Sequence, residues 1–207
     1  SITGNTKKRA ASVRIADNAL LISTNKRRNR LFGWYGNTTE RLSLSITVRI
    51  PRNTAFETVA MNIGVASLFL DGFTITKAFS LNTGVGEVEI KNIIASNVDI
   101  KTGMGETAFR NCTFTDTVLQ TGLGETSFDG RILKNLDINA GVGAIDMRIN
   151  GKKSDYTIHS ITGIGSILIN ERTATGIRNS FRVSAQDAPH TMNIKAGIGE
   201  VRIYFTE

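Results

Sequence analysis

Lys26, Arg27, Arg28 and Arg30 stand directly before Leu31-Phe32-Gly33-Trp34-Tyr35, where cationic side chains meet the chain's only tryptophan. Cations beside aromatic rings suit an anionic partner, with the charge taking the anion and the ring supplying a stacking or interfacial surface. Lys26, Arg27, Arg28, Arg30, Trp34 and Tyr35 are therefore the candidate residues for binding a polyanion or a lipid headgroup. Glu87, Glu106 and Glu125 recur every 19 residues, and carboxylates stacked by a repeat attract a cation. Gly84-Val85-Gly86 has the look of a phosphate loop. Cys112, His159 and His190 are isolated in the sequence, without metal-ligand or triad spacing.

Each candidate has a plainer competitor. A dinucleotide fingerprint needs a third glycine and a following helix, whereas Gly86 leads into Val88-Glu89-Ile90, which has strand character. Calcium wants six to eight oxygens, and the glutamate row lapses at Ala144 and Ser166. A solvated acidic edge is the simpler account, with Lys101 and Arg110 expected to neutralise it. The basic segment reads as a solvated loop between two strands. If it binds, envelope polyanions or headgroups are preferred to nucleic acid. Asp99, Asp116, Asp129 and Asp137 fall on outward or corner positions. Cys112 is expected to point inward as a small apolar group.

The elements that position these residues come from one repeat. Its copies are Gly84-Val85-Gly86, Gly103-Met104-Gly105, Gly122-Leu123-Gly124, Gly141-Val142-Gly143, Gly163-Ile164-Gly165 and Gly197-Ile198-Gly199, with a worn copy at Gly64-Val65-Ala66. First glycines lie 20, 19, 19, 19, 22 and 34 residues apart, a period that implies stacked coils. Numbering the first glycine zero, positions −5, −3, −1 and +1 share one parity and are expected on one strand face. Apolar residues then reappear at +4 and +6, so parity reverses. The second glycine is the expected corner. A second corner follows +6, at Asp71-Gly72, Lys91-Asn92, Arg110-Asn111, Asp129-Gly130 and Asn150-Gly151. Ile90, Phe109, Phe128 and Met147 are predicted to form one internal column, and Val98, Thr117 and Leu136 part of another.

The expected fold is all-β: a β-solenoid of about seven coils of 19–20 residues with an N-terminal strand pair, one domain over residues 1–207. Within it, 10–52 hold the N-terminal strands and basic loop, and 53–207 the repeats. Residues 11–24 read as a hairpin around Asp17-Asn18, and 42–50 as a strand ended by Pro51. The excess length before the last repeat, 171–190, is expected to be a loop plus one strand around Phe181-Arg182-Val183. The N-terminal pair at one end and Tyr204-Phe205 at the other are expected to cap the stack. Charge divides likewise: residues 1–52 hold eleven Lys/Arg against two acids, and 53–207 fourteen against sixteen. The longest apolar runs are too short to span a membrane. One cysteine excludes an intrachain disulfide.

With the repeat in place, the chain resembles the bacterial adhesin-like family whose domain is called toastrack. The likeness rests on the N-terminal strands closing on Val48-Arg49-Ile50-Pro51 and on the ordered Gly-apolar-Gly coils. It rests also on Ser154-Asp155-Tyr156-Thr157-Ile158 leading into Gly163-Ile164-Gly165-Ser166, and spans roughly residues 10–205. It implies a right-handed β-helix-like fold and a non-catalytic interaction or scaffold module outside a bacterial membrane. Such a module is anchored by a preceding segment, expected here upstream of Ser1. No cofactor and no catalytic residue are implied, and the partner would be a protein or an envelope polymer. Many members have Gly-Ser-Gly-Asp where this chain has Gly-apolar-Gly-Glu, which weakens an acidic-ladder role. The alternatives are a carbohydrate-active β-helix enzyme and a cytoskeletal β-helix that polymerises end to end.

Overall fold

The computed structural model describes residues 2–4, 11–24, 44–51, 54–183 and 188–206. The chain divides after Pro51 into two compact units, Ser1–Pro51 and Arg52–Glu207, within a residue of the change in composition. In the first unit, β1 (Ile2–Gly4), β2 (Ala11–Ala16), β3 (Ala19–Thr24) and β4 (Leu44–Ile46) form two antiparallel pairs, β1 with β4 and β2 with β3. Asp17 and Asn18 both take positive φ, 51° and 59°, which closes the expected hairpin with a two-residue turn suited to strand twist. The strand predicted over 42–50 is shorter. Among the described residues its ladder with β1 runs from Leu44 to Ile46, and Val48 is exposed.

The second unit is the solenoid. Its elements are β5 (Ala55–Val65), β6 (Leu68–Asp71), β7 (Thr74–Val85), β8 (Val88–Lys91), β9 (Ile94–Phe114), β10 (Thr117–Ile132), β11 (Asn135–Asn150), β12 (Tyr156–Ile169), β13 (Arg172–Val183) and β14 (His190–Thr206). The coils stack in parallel and in register, so like positions repeat at about 4.8 Å. The predicted column is present: Ile90, Phe109, Phe128 and Met147 pair in sequence, then continue to Ile203 and Ile169. All six are fully buried. The second column runs Phe79, Val98, Thr117, Leu136, Met192 and Ile158. Phe109 and Phe114 meet edge to face at 5.6 Å, a favoured aromatic geometry. Full burial of each such side chain is worth about 1.5–3 kcal/mol.

The last coils depart from the expected order. The sheet runs β5-β7-β9-β10-β11-β14-β12-β13, so the C-terminal strand lies between β11 and β12. The chain leaves β11, makes a 3₁₀ turn at Lys153–Asp155 and lays β12 one slot further on. Tyr156 spans the gap: its hydroxyl donates to the Ile132 carbonyl at 2.9 Å, and its ring packs on His190 and Phe205. The expected strand around Phe181-Arg182-Val183 is present but longer, and takes in residues 172–180, where a loop was expected. It is β13, twelve residues antiparallel to β12, turning at Asn170 with φ 51°. Tyr204-Phe205 lies in an interior coil rather than capping the stack, and the terminal strand is β13.

Corner residues explain how two strand directions fit each coil. Asn92 and Asn111 hold φ near 52–53°, a region that asparagine tolerates better than most residues. Their side chains form a ladder: Asn111 Nδ2 donates to Asn92 Oδ1, and Asn92 Nδ2 to Asp71 Oδ1, both at 2.7 Å.

Candidate functional site: an apolar ridge on the glycine corners

The Gly-apolar-Gly corner does build the parity reversal, and it corrects one expectation. Gly86, Gly105, Gly124, Gly143, Gly165 and Gly199 take φ between 134° and 147°, a region essentially closed to other residues. A Cβ at Gly103 would run into the Gly84 carbonyl of the coil below, and one at Gly105 into that of Gly86. The backbones of successive coils thus touch at this corner. The residue between the glycines has no room inside. Position +1, expected on the inner face with −5, −3 and −1, points outward instead.

The result is an unbroken row. Val65, Val85, Met104, Leu123, Val142, Ile198, Ile164 and Ile177 pair in register, one to the next, across every coil and onto β13. Exposure runs from 40% at Val85 to 79% at Val65. Seven intervals at the inter-strand spacing make the ridge about 34 Å long. Periodicity alone misses the site, because an apolar residue at a repeated position reads as core. The signal in the sequence is the pair of flanking glycines.

Each flank of the ridge has its own chemistry. On one side lies the glutamate row, where Glu106 and Glu125 pair in register and are followed by Ala144, Glu200 and Ser166. On the other, at position −2, Asn82, Lys101, Gln120, Asn139 and Lys195 follow one another, all exposed. Contrary to expectation, Lys101 and Arg110 do not neutralise the glutamates: Lys101 pairs with Asp99 at 3.5 Å and Arg110 with Glu89 at 3.1 Å. Among the described residues Glu87, Glu106 and Glu125 have no ion-pair partner. Glu200 differs, because Arg202 reaches it at 2.6 Å and Asp146 at 3.1 Å. The Arg202 hydrogen bond holds the Glu200 carboxyl below its ordinary range. Lys91, then Arg110, do the same for Glu89.

The remaining candidates are scattered. Asp99, Asp129 and Asp137 are exposed and Asp116 half-buried, and the amides of Asn135 and Asn193 donate to Asp116 and Asp137 at 2.9 and 2.8 Å. Cys112 is buried, with its thiol pushed up by that burial. His159 pairs in register with Asn193, and His190 with Tyr156. Among the described residues no three His, Cys, Asp or Glu side chains converge as a metal site would require. The twelve corner glycines occupy the turn they were expected to build. Lys26, Arg27, Arg28, Arg30, Trp34 and Tyr35 lie outside the described residues.

An all-β solenoid with a repeated glycine corner and an exposed apolar ridge defines a β-solenoid repeat protein as the class. The chain belongs to the Toastrack DUF4097 family, whose model matches residues 1–204. Neither a curated protein nor a solved structure matches it.

Proposed function

We propose that the protein is a non-catalytic interaction module, adhesin-like, displayed outside a bacterial membrane as part of a tethered protein. The observation that carries this reading is the ridge. Eight apolar side chains stand outward in register, six of them between glycine pairs whose backbone touches the neighbouring coil. Large apolar patches on soluble proteins mark surfaces that meet another macromolecule. A solenoid suits that task, since its coils fix a long row of contacts without an ordering cost at binding. The amides of Asn135 and Asn193 support the same reading, because they tie Asp116 and Asp137 coil to coil rather than aiming them at a common point.

Photocrosslinking in cells tests the reading. A photoreactive residue replacing Leu123 should give adducts with another macromolecule, and one replacing the outward Asp137 should not. Absence of adducts from Leu123 removes the interaction reading. Protease added to intact cells tests the location: digestion is expected, and protection until lysis overturns display at the surface. The basic segment is a separate element of the proposal, a contact for an anionic envelope polymer or headgroup. Neutralising Arg27, Arg28 and Arg30 should weaken polyanion binding, most clearly at low salt.

A further inference from the structure

We infer that the ridge is covered by the ridge of a second copy of this chain, in a parallel pair whose two-fold axis runs along the solenoid. This rests on the ridge being an interaction surface and names its partner. Area is the first argument. With its side chains about half exposed, the ridge presents roughly 700 Å² of apolar surface. That exceeds the ~300–600 Å² of a typical monomer's largest patch and approaches the ~800 Å² each partner buries in a standard interface.

Charge selects the partner and its direction. The ridge has an acidic flank and a flank of lysines and amides. A two-fold axis across the ridge would set acidic flank against acidic flank. An axis along the solenoid sets each acidic flank against the partner's lysine and amide flank. It also places each coil beside the same coil of the other copy, in an isologous interface. The match then holds coil by coil. Glu106 faces the Lys101 position on β9, Glu200 faces Lys195 on β14, and Glu125 faces Gln120 on β10. The coil of β11, where the acidic row lapses at Ala144, offers uncharged Asn139 opposite. Glu106, without an ion-pair partner within one copy, thereby gains a lysine in the pair, and Glu125 an amide. The same acidic flank opposes an anionic membrane surface, which would be the other natural cover for such a row.

Sedimentation equilibrium of the full chain tests this. A dimer is expected, with dissociation rising with salt. Leu123→Lys should weaken it by about 10-fold or more, since a charge is placed at the centre of the apolar strip. Leu123 is half exposed in the monomer, so circular dichroism and melting of that variant should match the parent. Lys101→Glu should weaken the dimer, and Lys101→Glu combined with Glu106→Lys in the same chain should restore it. That restoration requires like coils to meet, so its failure overturns the parallel register. A parent chain that stays monomeric at ~100 µM overturns the pairing. So does a dimer indifferent to Leu123→Lys. Co-sedimentation of a monomer with phosphatidylcholine vesicles, lost on Leu123→Lys, would assign the ridge to lipid instead. Crosslinks from Leu123 at the mass of two chains support the pair. Crosslinks only at other masses would leave an interaction module but remove self-association.

Discussion

Gly105 shows how much a single hydrogen atom decides in this protein. Its φ of 134° and the carbonyl of Gly86 beneath it leave no place for a methyl group. Gly105→Ala is expected to lower stability by at least about 1–3 kcal/mol from backbone strain alone. At Gly64, in the worn copy, a methyl group would meet nothing within 4 Å, and Gly64→Ala should melt with the parent. Equal melting temperatures for the two variants would remove the close-approach account of the corner. Electrostatics at this scale is confined to small clusters. Glu89 is bonded by Lys91 at 2.8 Å and Arg110 at 3.1 Å, and its folded-state pKa lies below the ordinary 4.5. A depressed carboxyl contributes stability above its unfolded value and loses that contribution as pH falls through the folded one. The melting gap between the parent and Glu89→Gln should therefore be widest near neutrality and close as pH falls below the ordinary 4.5 and through the lowered folded-state value. A gap independent of pH would mean that the cluster adds nothing through its charge.

Strand pairing was legible from the residues wherever a side chain's identity and its burial agree. Phe109 and Phe128 at +6, or Val98 and Leu136 at −5, are apolar and buried, so the alternation gives the register directly. Met104 and Leu123 break that agreement. They are apolar and outward, and only the backbone constraint of the neighbouring glycines says so. The place of β14 was hidden for a different reason. Repeats with nearly the same apolar pattern can stack on one another equally well, so order along the chain need not be order in the stack. What selects the slot here is specific to a few residues. Tyr156 bridges to Ile132 across it, and Asn170 Oδ1 accepts from the Phe205 amide at 2.9 Å. Because β14 is hydrogen-bonded on both sides, its loss should cost more than loss of an end strand. A chain ending at Val183 is expected to lose exchange protection throughout Tyr156–Val183 while retaining it in β7 to β10. Intact protection of β12 in that truncation would show that β12 can close directly onto β11.

At the scale of the whole molecule, the solenoid unit is close to one-dimensional, since each coil meets mainly its two neighbours. Damage should stay local. Phe109→Ala removes a fully buried ring from the shared column and is expected to cost about 3–5 kcal/mol. Amide exchange should accelerate most in β8, β9 and β10 and least in the β12–β13 hairpin. Uniform acceleration would indicate a single cooperative block instead.

The interior position of β14 also bears on how the chain is made. Synthesis delivers the N-terminal coils first, and the strand that completes the stack emerges only after both β11 and β12. Until it arrives, β11 and β12 must leave a gap with an unpaired edge on either side, the kind of surface that recruits other chains. Emergence of β14 is thus the event that seals the stack. A prematurely terminated product would carry that open gap permanently, and its exposed edges would mark it as incomplete.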